Sequence, residues 1–288
     1  MESLANLIEK SLDLPAGPAF ADAARHLRQV HHGRILAILG YGSALRGVDV
    51  IDTPLDLYVL THDFGDVSSA RLSQHACRLV PPNVYYSEMS FEGGTLRAKY
   101  AVLPLHQFSG WMTADTSNPY FWARFCQPVR LVFTESAEVR RIVVEALRNA
   151  LITMFANAKA LTAETDPLAI CRAGVSATYR TELRPESSSR ANSIVDANAE
   201  YFRTAGRLLA DTPPLKASWR QRQIAGKALS LLRLSKAAFT FRGGVDYAAW
   251  KIARHSGQKI NVTDWNRRHP LLTGLLLLPR LLRKGALR

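Results

Sequence analysis

Gly40-Tyr41-Gly42-Ser43 follows the apolar run Arg34–Leu39, and Asp56 follows Ser43 by 13 positions inside a second apolar run, Leu55–Thr61. The types and spacing of these residues can do chemistry. A strand that ends in Gly-Ser and opens a helix leaves backbone N–H groups free to face an anion, and the helix dipole adds partial positive charge there. Glycine lets a phosphate approach the main chain, and the serine hydroxyl is one more donor. A carboxylate in an apolar strand needs a reason. Mg²⁺ supplies one, because it takes carboxylate and phosphate oxygens and screens the charge on a leaving pyrophosphate. Taken singly, the turn is also an ordinary turn, and Asp56 is also a strand-end cap or a surface ion pair.

Together the two features resemble the nucleotidyltransferase pattern, in which a Gly-Ser turn precedes an aspartate on the next strand by about a dozen residues. That pattern usually carries a second acid two positions on, where this chain has Tyr58. Asp49, Asp52 and Asp63 all stay open as the missing ligand. Other chemistries lack their residues. His31-His32, His62 and His106 form no metal-binding or catalytic pair and read as structural or surface groups. Cys77, Cys126 and Cys171 are far apart, give no disulfide framework or zinc spacing, and read as buried small hydrophobes in a reducing compartment.

The elements that must position these residues change along the chain. Residues 3–31 read as helical, broken near Pro15 and Pro18. Arg34–Leu39 and Leu55–Thr61 read as strands, Asn83–Met89 and Leu96–Pro104 as a hairpin turning at Glu92-Gly93-Gly94, and Val129–Thr134 as a further strand. From residue 138 the periodicity is helical: Glu138–Leu161, 167–180, Ala191–Leu209 and Trp219–Phe239. The last of these has Ile224, Ala228, Leu231, Leu232 and Ala238 in register as its apolar face. The expected fold is α+β: a nucleotidyltransferase-fold domain with a mixed sheet over 1–135, a helical domain completing the site over 136–212, and a basic helical region with an amphipathic tail over 213–288. Asp211-Thr212-Pro213-Pro214 reads as the clearest linker.

Charge follows the same division. The 37 Lys/Arg and 24 Asp/Glu give +13, and from Tyr201 onward there are 18 Lys/Arg and 3 Asp/Glu, or +15, which leaves −2 for the first 200 residues. A patch of that sign calls for a polyanion, either nucleic acid or an anionic membrane. No stretch reaches the ~18 to 20 apolar residues of a bilayer span; Leu271–Leu282 is too short and contains Pro279. No secretory signal is apparent, so a cytoplasmic protein, soluble or peripheral, is expected.

A narrower resemblance accounts for the gap at Tyr58. GYGSALRGVDVIDTPLDLYVLTHDF is similar to the start of the mitochondrial-type phosphatidate cytidylyltransferases, the translocator-assembly-and-maintenance family. That family also has an apolar residue two places after its aspartate. NVYYSEM with GTLRAKYAVL, then NPYFWARFCQPV, then Tyr179–Val195 resemble three further family blocks in the same order, the last with about two residues deleted after Arg184. The blocks cover residues 38 to about 209, and the chain is identified as a bacterial member. The resemblance implies Tyr41, Gly42 and Ser43 for the nucleotide-phosphate turn and Asp56 for the metal. It implies Lys99 and Arg184 as clamps on phosphate oxygens, with Arg124, Glu182 and Arg190 also at the nucleotide. Glu182 stands for a family aspartate and Arg190 for a lysine. Ala123-Arg124 lacks an intervening glycine, and Gln127 replaces a lysine.

The reaction so implied joins CTP and phosphatidic acid, with Mg²⁺, into CDP-diacylglycerol and pyrophosphate. The basic tail with Trp250 and Trp265 would then lie on the inner face of an anionic membrane. Two other readings are carried: a nucleotidyltransferase acting on RNA or a small molecule, and a degenerate fold that binds without turnover. The missing second carboxylate favours the last over the RNA reading, and the Lys99-Tyr100 and Tyr179…Glu182-Leu183-Arg184 blocks favour the lipid enzyme over both. Acyl-chain preference, oligomeric state and the second metal ligand are not legible.

Overall fold

The computed structural model describes residues 3–47, 50–51, 53–116, 118–182, 188–215, 218–241, 243–256, 261–269 and 272–273. It is an α+β protein with a five-stranded mixed sheet followed by a helical part.

Two helices open the chain, α1 (Leu4–Asp13) and α2 (Pro18–Val30). Ser3 caps α1 by accepting from the Asn6 N–H at 3.1 Å, and Pro18 starts α2 where its missing N–H costs nothing. β1 (Ile35–Tyr41) leads into a single turn of 3-10 helix, Ser43–Arg46. β2 (Leu55–Thr61) follows, then the short helices α3 (Phe64–Val67) and α4 (Arg71–Leu79). The hairpin β3 (Asn83–Phe91) and β4 (Gly94–Pro104) turns on Glu92 and Gly93, whose φ values are 46° and 77°. Next come α5 (Leu105–Gly110), α6 (Trp122–Phe125) and β5 (Arg130–Thr134). The sheet order is β3-β4-β2-β1-β5, with β2 and β4 parallel and the other pairs antiparallel.

The helical part holds α7 (Ala137–Lys159), α8 (Pro167–Tyr179), α9 (Ser188–Ala197), α10 (Ala199–Leu208), α11 (Trp219–Thr240), α12 (Gly244–Ser256) and α13 (Asp264–Arg268). One hydrophobic cluster runs from Leu7 to Leu209 and unites the sheet with α7, α8 and α10. β1 and β2 are apolar almost throughout because helices cover both of their faces.

Two expectations are corrected here, and the orientation of α11 is added. The run 191–209 is two helices, not one. They part at Asn198, whose side-chain amide donates to the Ile194 carbonyl at 2.8 Å and so competes with the helical ladder. The Gly-Ser turn opens only a 3-10 turn, ended by Gly47 in the left-handed region (φ 78°), so it carries little of a helix dipole. The apolar row of α11 points outward: Ile224 and Leu231 are 64% and 58% exposed, so this row does not build the core. The inward face carries Gly226, packed on Thr181, with Arg222, Arg233 and Lys236. Those cations donate to backbone carbonyls of Thr116 (Arg222), Pro81 (Arg233), and Val80 and Pro82 (Lys236). Helix α11 is thus held to the sheet layer by charge-assisted hydrogen bonds rather than by leucine packing.

Among the described residues no helix is long and apolar enough to cross a membrane. The tail from residue 274 lies outside the described residues.

Candidate functional site

Strand register assembles the site. Tyr41 pairs with Asp56, Asp56 with Lys99, and Lys99 with Tyr86, so four neighbouring strands carry one transverse row. Partners directly opposite across a sheet face the same side. The row therefore sets the expected metal ligand between the glycine turn and the expected phosphate clamp. Tyr58, two residues after Asp56, lies on the same face. Its ring meets those of Tyr41 and Phe125 at 5.4 and 4.7 Å. The position that holds an acid in the usual pattern is here a fully buried part of an aromatic cluster.

Gly42 closes the row on one side. Its φ of 89° and ψ of −164° belong to a region almost confined to glycine, and a Cβ built there would stand 2.9 Å from the Asp56 carboxylate oxygen. Asp56 therefore reaches across β1 onto the turn itself. Beside it is a small pocket of about 40 Å³ lined by Gly42, Arg124, Gln127, Arg130 and Asn198. The hydroxyl-bearing Ser43 begins the 3-10 turn.

Helix α12 lies across the other end of the row. The Tyr247 ring is 5.4 Å from that of Tyr86 and 5.7 Å from the Lys99 ammonium. Burial, followed by the Asp56 charge, pushes the Tyr247 phenol up, which places this ring in the field of the carboxylate. The Tyr86 phenol is pushed up by burial and by its 2.6 Å hydrogen bond to Glu88. Arg97 and Arg254 stack on the partly exposed Trp250, 5.3 and 5.5 Å from the ring centroid. Trp265 is 47% exposed.

Arg124 and Glu182 meet at 3.9 Å. Arg124 also donates to the Tyr120 carbonyl at 3.2 Å and stacks on the Tyr120 ring. Burial alone would lower Arg124, but the phenols of Tyr120 and Tyr58, with Glu182, hold it firmly charged. Tyr120 shows the reverse balance. Burial alone would raise the phenol, yet Arg124 and Arg233 outweigh it and bring it down. The two guanidiniums stack on the Tyr120 ring at 4.2 and 3.8 Å. Between α11 and the sheet is a cavity of about 300 Å³ whose lining includes Lys99, Tyr120, Glu182, Arg233 and Lys236.

Tyr41, Asp56 and Lys99 thus share one row with Gly42 against Asp56, and Arg124 and Glu182 pair beside it. Arg184 and the side chain of Arg190 lie outside the described residues. Of the alternatives for a second metal ligand, Asp49 and Asp52 also lie outside them. Asp63 is excluded: it caps α3 by accepting from Gly65 at 2.6 Å, beyond the far end of β2. Seven residues of strand rise place it roughly 20 Å from Asp56. Among the described residues no three His, Cys, Asp or Glu side chains group to hold a metal. One carboxylate still fits Mg²⁺, which is commonly held by one or two carboxylates together with substrate phosphates. Asp56 is half-buried near the start of its strand, with a carboxylate oxygen turned toward Gly42.

The sequence reading missed Arg233, Lys236 and Tyr247. A usable signal was present for Arg233: with Gly226 and Ala237 it shares a helical face with Arg222, and a glycine within a helix marks close packing. Lys236 is the most perturbed of the three. Burial lowers its amine from 10.5 to about 8, with Arg233 adding to the drop and Cys77 opposing it. The unfolded chain keeps this proton up to about pH 10.4. Between those values the unfolded state binds more protons, so the Lys236 contribution to stability rises with pH across that window. In urea unfolding, the wild-type stability minus that of Lys236→Met is expected to grow from pH 8 to pH 10. A flat difference would refute the shift.

Comparison with protein-family models and with curated proteins returns no match for this chain.

Proposed function

We propose that the chain is a Mg²⁺-dependent nucleotidyltransferase that joins CTP to phosphatidic acid, giving CDP-diacylglycerol and pyrophosphate. The observation that carries the reading is the single row Tyr41-Asp56-Lys99, with the Asp56 carboxylate against Gly42. The choice of CTP and of a lipid acceptor comes from the sequence resemblance.

The acceptor phosphate is already an anion, so no strong base is needed. An acceptor oxygen attacks the α-phosphorus, and the bond to the β-phosphate breaks with pyrophosphate leaving. The demand on the protein is to bring two anions together and to spread negative charge. Asp56 would hold Mg²⁺, which supplies electrostatic relief to the phosphates when bound. Gly42 admits the nucleotide phosphates against the backbone, and Lys99 supplies a point charge one strand away. Arg124, fixed by Glu182 and Tyr120, keeps a permanent positive charge beside the turn. The +15 of the chain beyond residue 200 suits work at the inner face of an anionic membrane.

The acceptor is tested by offering labelled CTP and Mg²⁺ with either phosphatidate vesicles or RNA. Labelled lipid supports the reading. Labelled RNA, or CTP bound without turnover, sinks it.

A further inference from the structure

The cavity between α11 and the sheet has a lining divided by chemistry. Lys99, Tyr120, Arg233 and Lys236 are cationic or hydrogen-bonding, whereas Val84, Leu234, Ala237 and Phe241 are apolar. The cations differ in what they have left to give. Lys236 already donates to Val80, Pro82 and Asn83, so it contributes charge but no spare donor. Glu182 is drawn toward Arg124. Arg233 uses only Nε, which donates to the Pro81 carbonyl at 3.0 Å. Its Nη1 and Nη2 are buried and have no hydrogen-bond partner among the described residues. Buried charged donors are ordinarily satisfied, so this pair points to an acceptor that arrives from outside. Two adjacent guanidinium nitrogens match two oxygens of a phosphate, and Lys99 lines the same cavity.

The apolar half of the lining says what carries the phosphate. Leu234 lines the cavity and is also 61% exposed, so the cavity opens onto the outward apolar row of α11 with Ile224 and Leu231. An inorganic phosphate has no use for such a mouth. We infer that this cavity takes the phosphomonoester headgroup of an amphiphile, with Arg233 as the fork and Lys99 as the second cation. The inference deepens the transferase reading and rests on it, since it places the acceptor at the Lys99 end of the row and leaves the Gly42 end to the nucleotide.

Calorimetric titration of the full chain with dioctanoyl phosphatidate below its micelle concentration tests it. Glycerol 3-phosphate and inorganic phosphate are the comparison ligands, and CTP binding with the thermal midpoint reports an intact fold. The lipid is expected to bind at least about tenfold tighter than either comparison ligand. Arg233→Gln is expected to weaken lipid binding at least about tenfold and to leave CTP binding within about twofold. Leu234→Asp, at an exposed position, should weaken the lipid but not glycerol 3-phosphate. Wild-type lipid affinity in both variants, or inorganic phosphate binding as tightly as the lipid, overturns the inference. Binding through Arg233 without product in the presence of CTP leaves the cavity assignment standing and removes the transferase reading. Labelled lipid product formed at the wild-type rate by Arg233→Gln, with its lipid affinity unchanged, does the reverse.

Discussion

Asp56→Asn is expected to lower CTP-dependent turnover by roughly a thousandfold, about 4 kcal/mol of transition-state stabilisation, while the protein stays folded. The large figure follows from the site having one carboxylate in its row. Tyr58 occupies the place of a second acid and is locked in an aromatic cluster with Tyr41 and Phe125, and Asp63 is committed to capping α3. No neighbour on the strand can take over the cation. Stability should change little, because Asp56 is half-buried and asparagine preserves its shape. The checks are steady-state turnover, isothermal titration of Mg²⁺ with CTP, and the thermal midpoint. Near wild-type turnover would remove Asp56 from the chemistry, and a collapsed midpoint would make its role structural.

Gly42→Ala should lose roughly a hundredfold in turnover and about 1–3 kcal/mol in stability, for two separable reasons. The backbone at φ 89° and ψ −164° is one an alanine resists. The new Cβ would also stand 2.9 Å from the Asp56 carboxylate oxygen and push it off its position. Gly47→Ala separates the two effects. Gly47 also has positive φ, 78°, yet a Cβ there meets nothing within 4 Å. It should lose stability and keep its turnover. Equal turnover losses in both variants would show that strain in the turn, not displacement of Asp56, sets the activity.

Much of the sheet was legible because its strands are short apolar runs punctuated by glycine and proline. Leu55–Thr61 matches its expected bounds, and the Glu92-Gly93 turn falls where the hairpin was expected. The row Tyr41-Asp56-Lys99 was half legible. The types and order of the residues are in the sequence, but the parallel pairing that sets Lys99 opposite Asp56 is a long-range property of the sheet. The apolar stripe of α11 was legible, but not the side it faces. Helices bury whichever face satisfies more of their neighbours, and here the carbonyls of Val80, Pro81, Pro82 and Thr116 took the cations inward. A helix period read alone cannot foresee such acceptors. The break at Asn198 was missed for a related reason, since it depends on one side-chain amide reaching the carbonyl of Ile194.

The central claim is that Asp56, Gly42 and Lys99 form one nucleotidyl-transfer site with a lipid phosphate as acceptor. The most direct measurement is transfer of the α-phosphate label of CTP to phosphatidate vesicles by the full chain in Mg²⁺, run beside Asp56→Asn. Labelled CDP-diacylglycerol should form in step with pyrophosphate with the wild type, and almost none with the variant. Label that appears equally with both proteins, or that never reaches the lipid although CTP is bound, would contradict it.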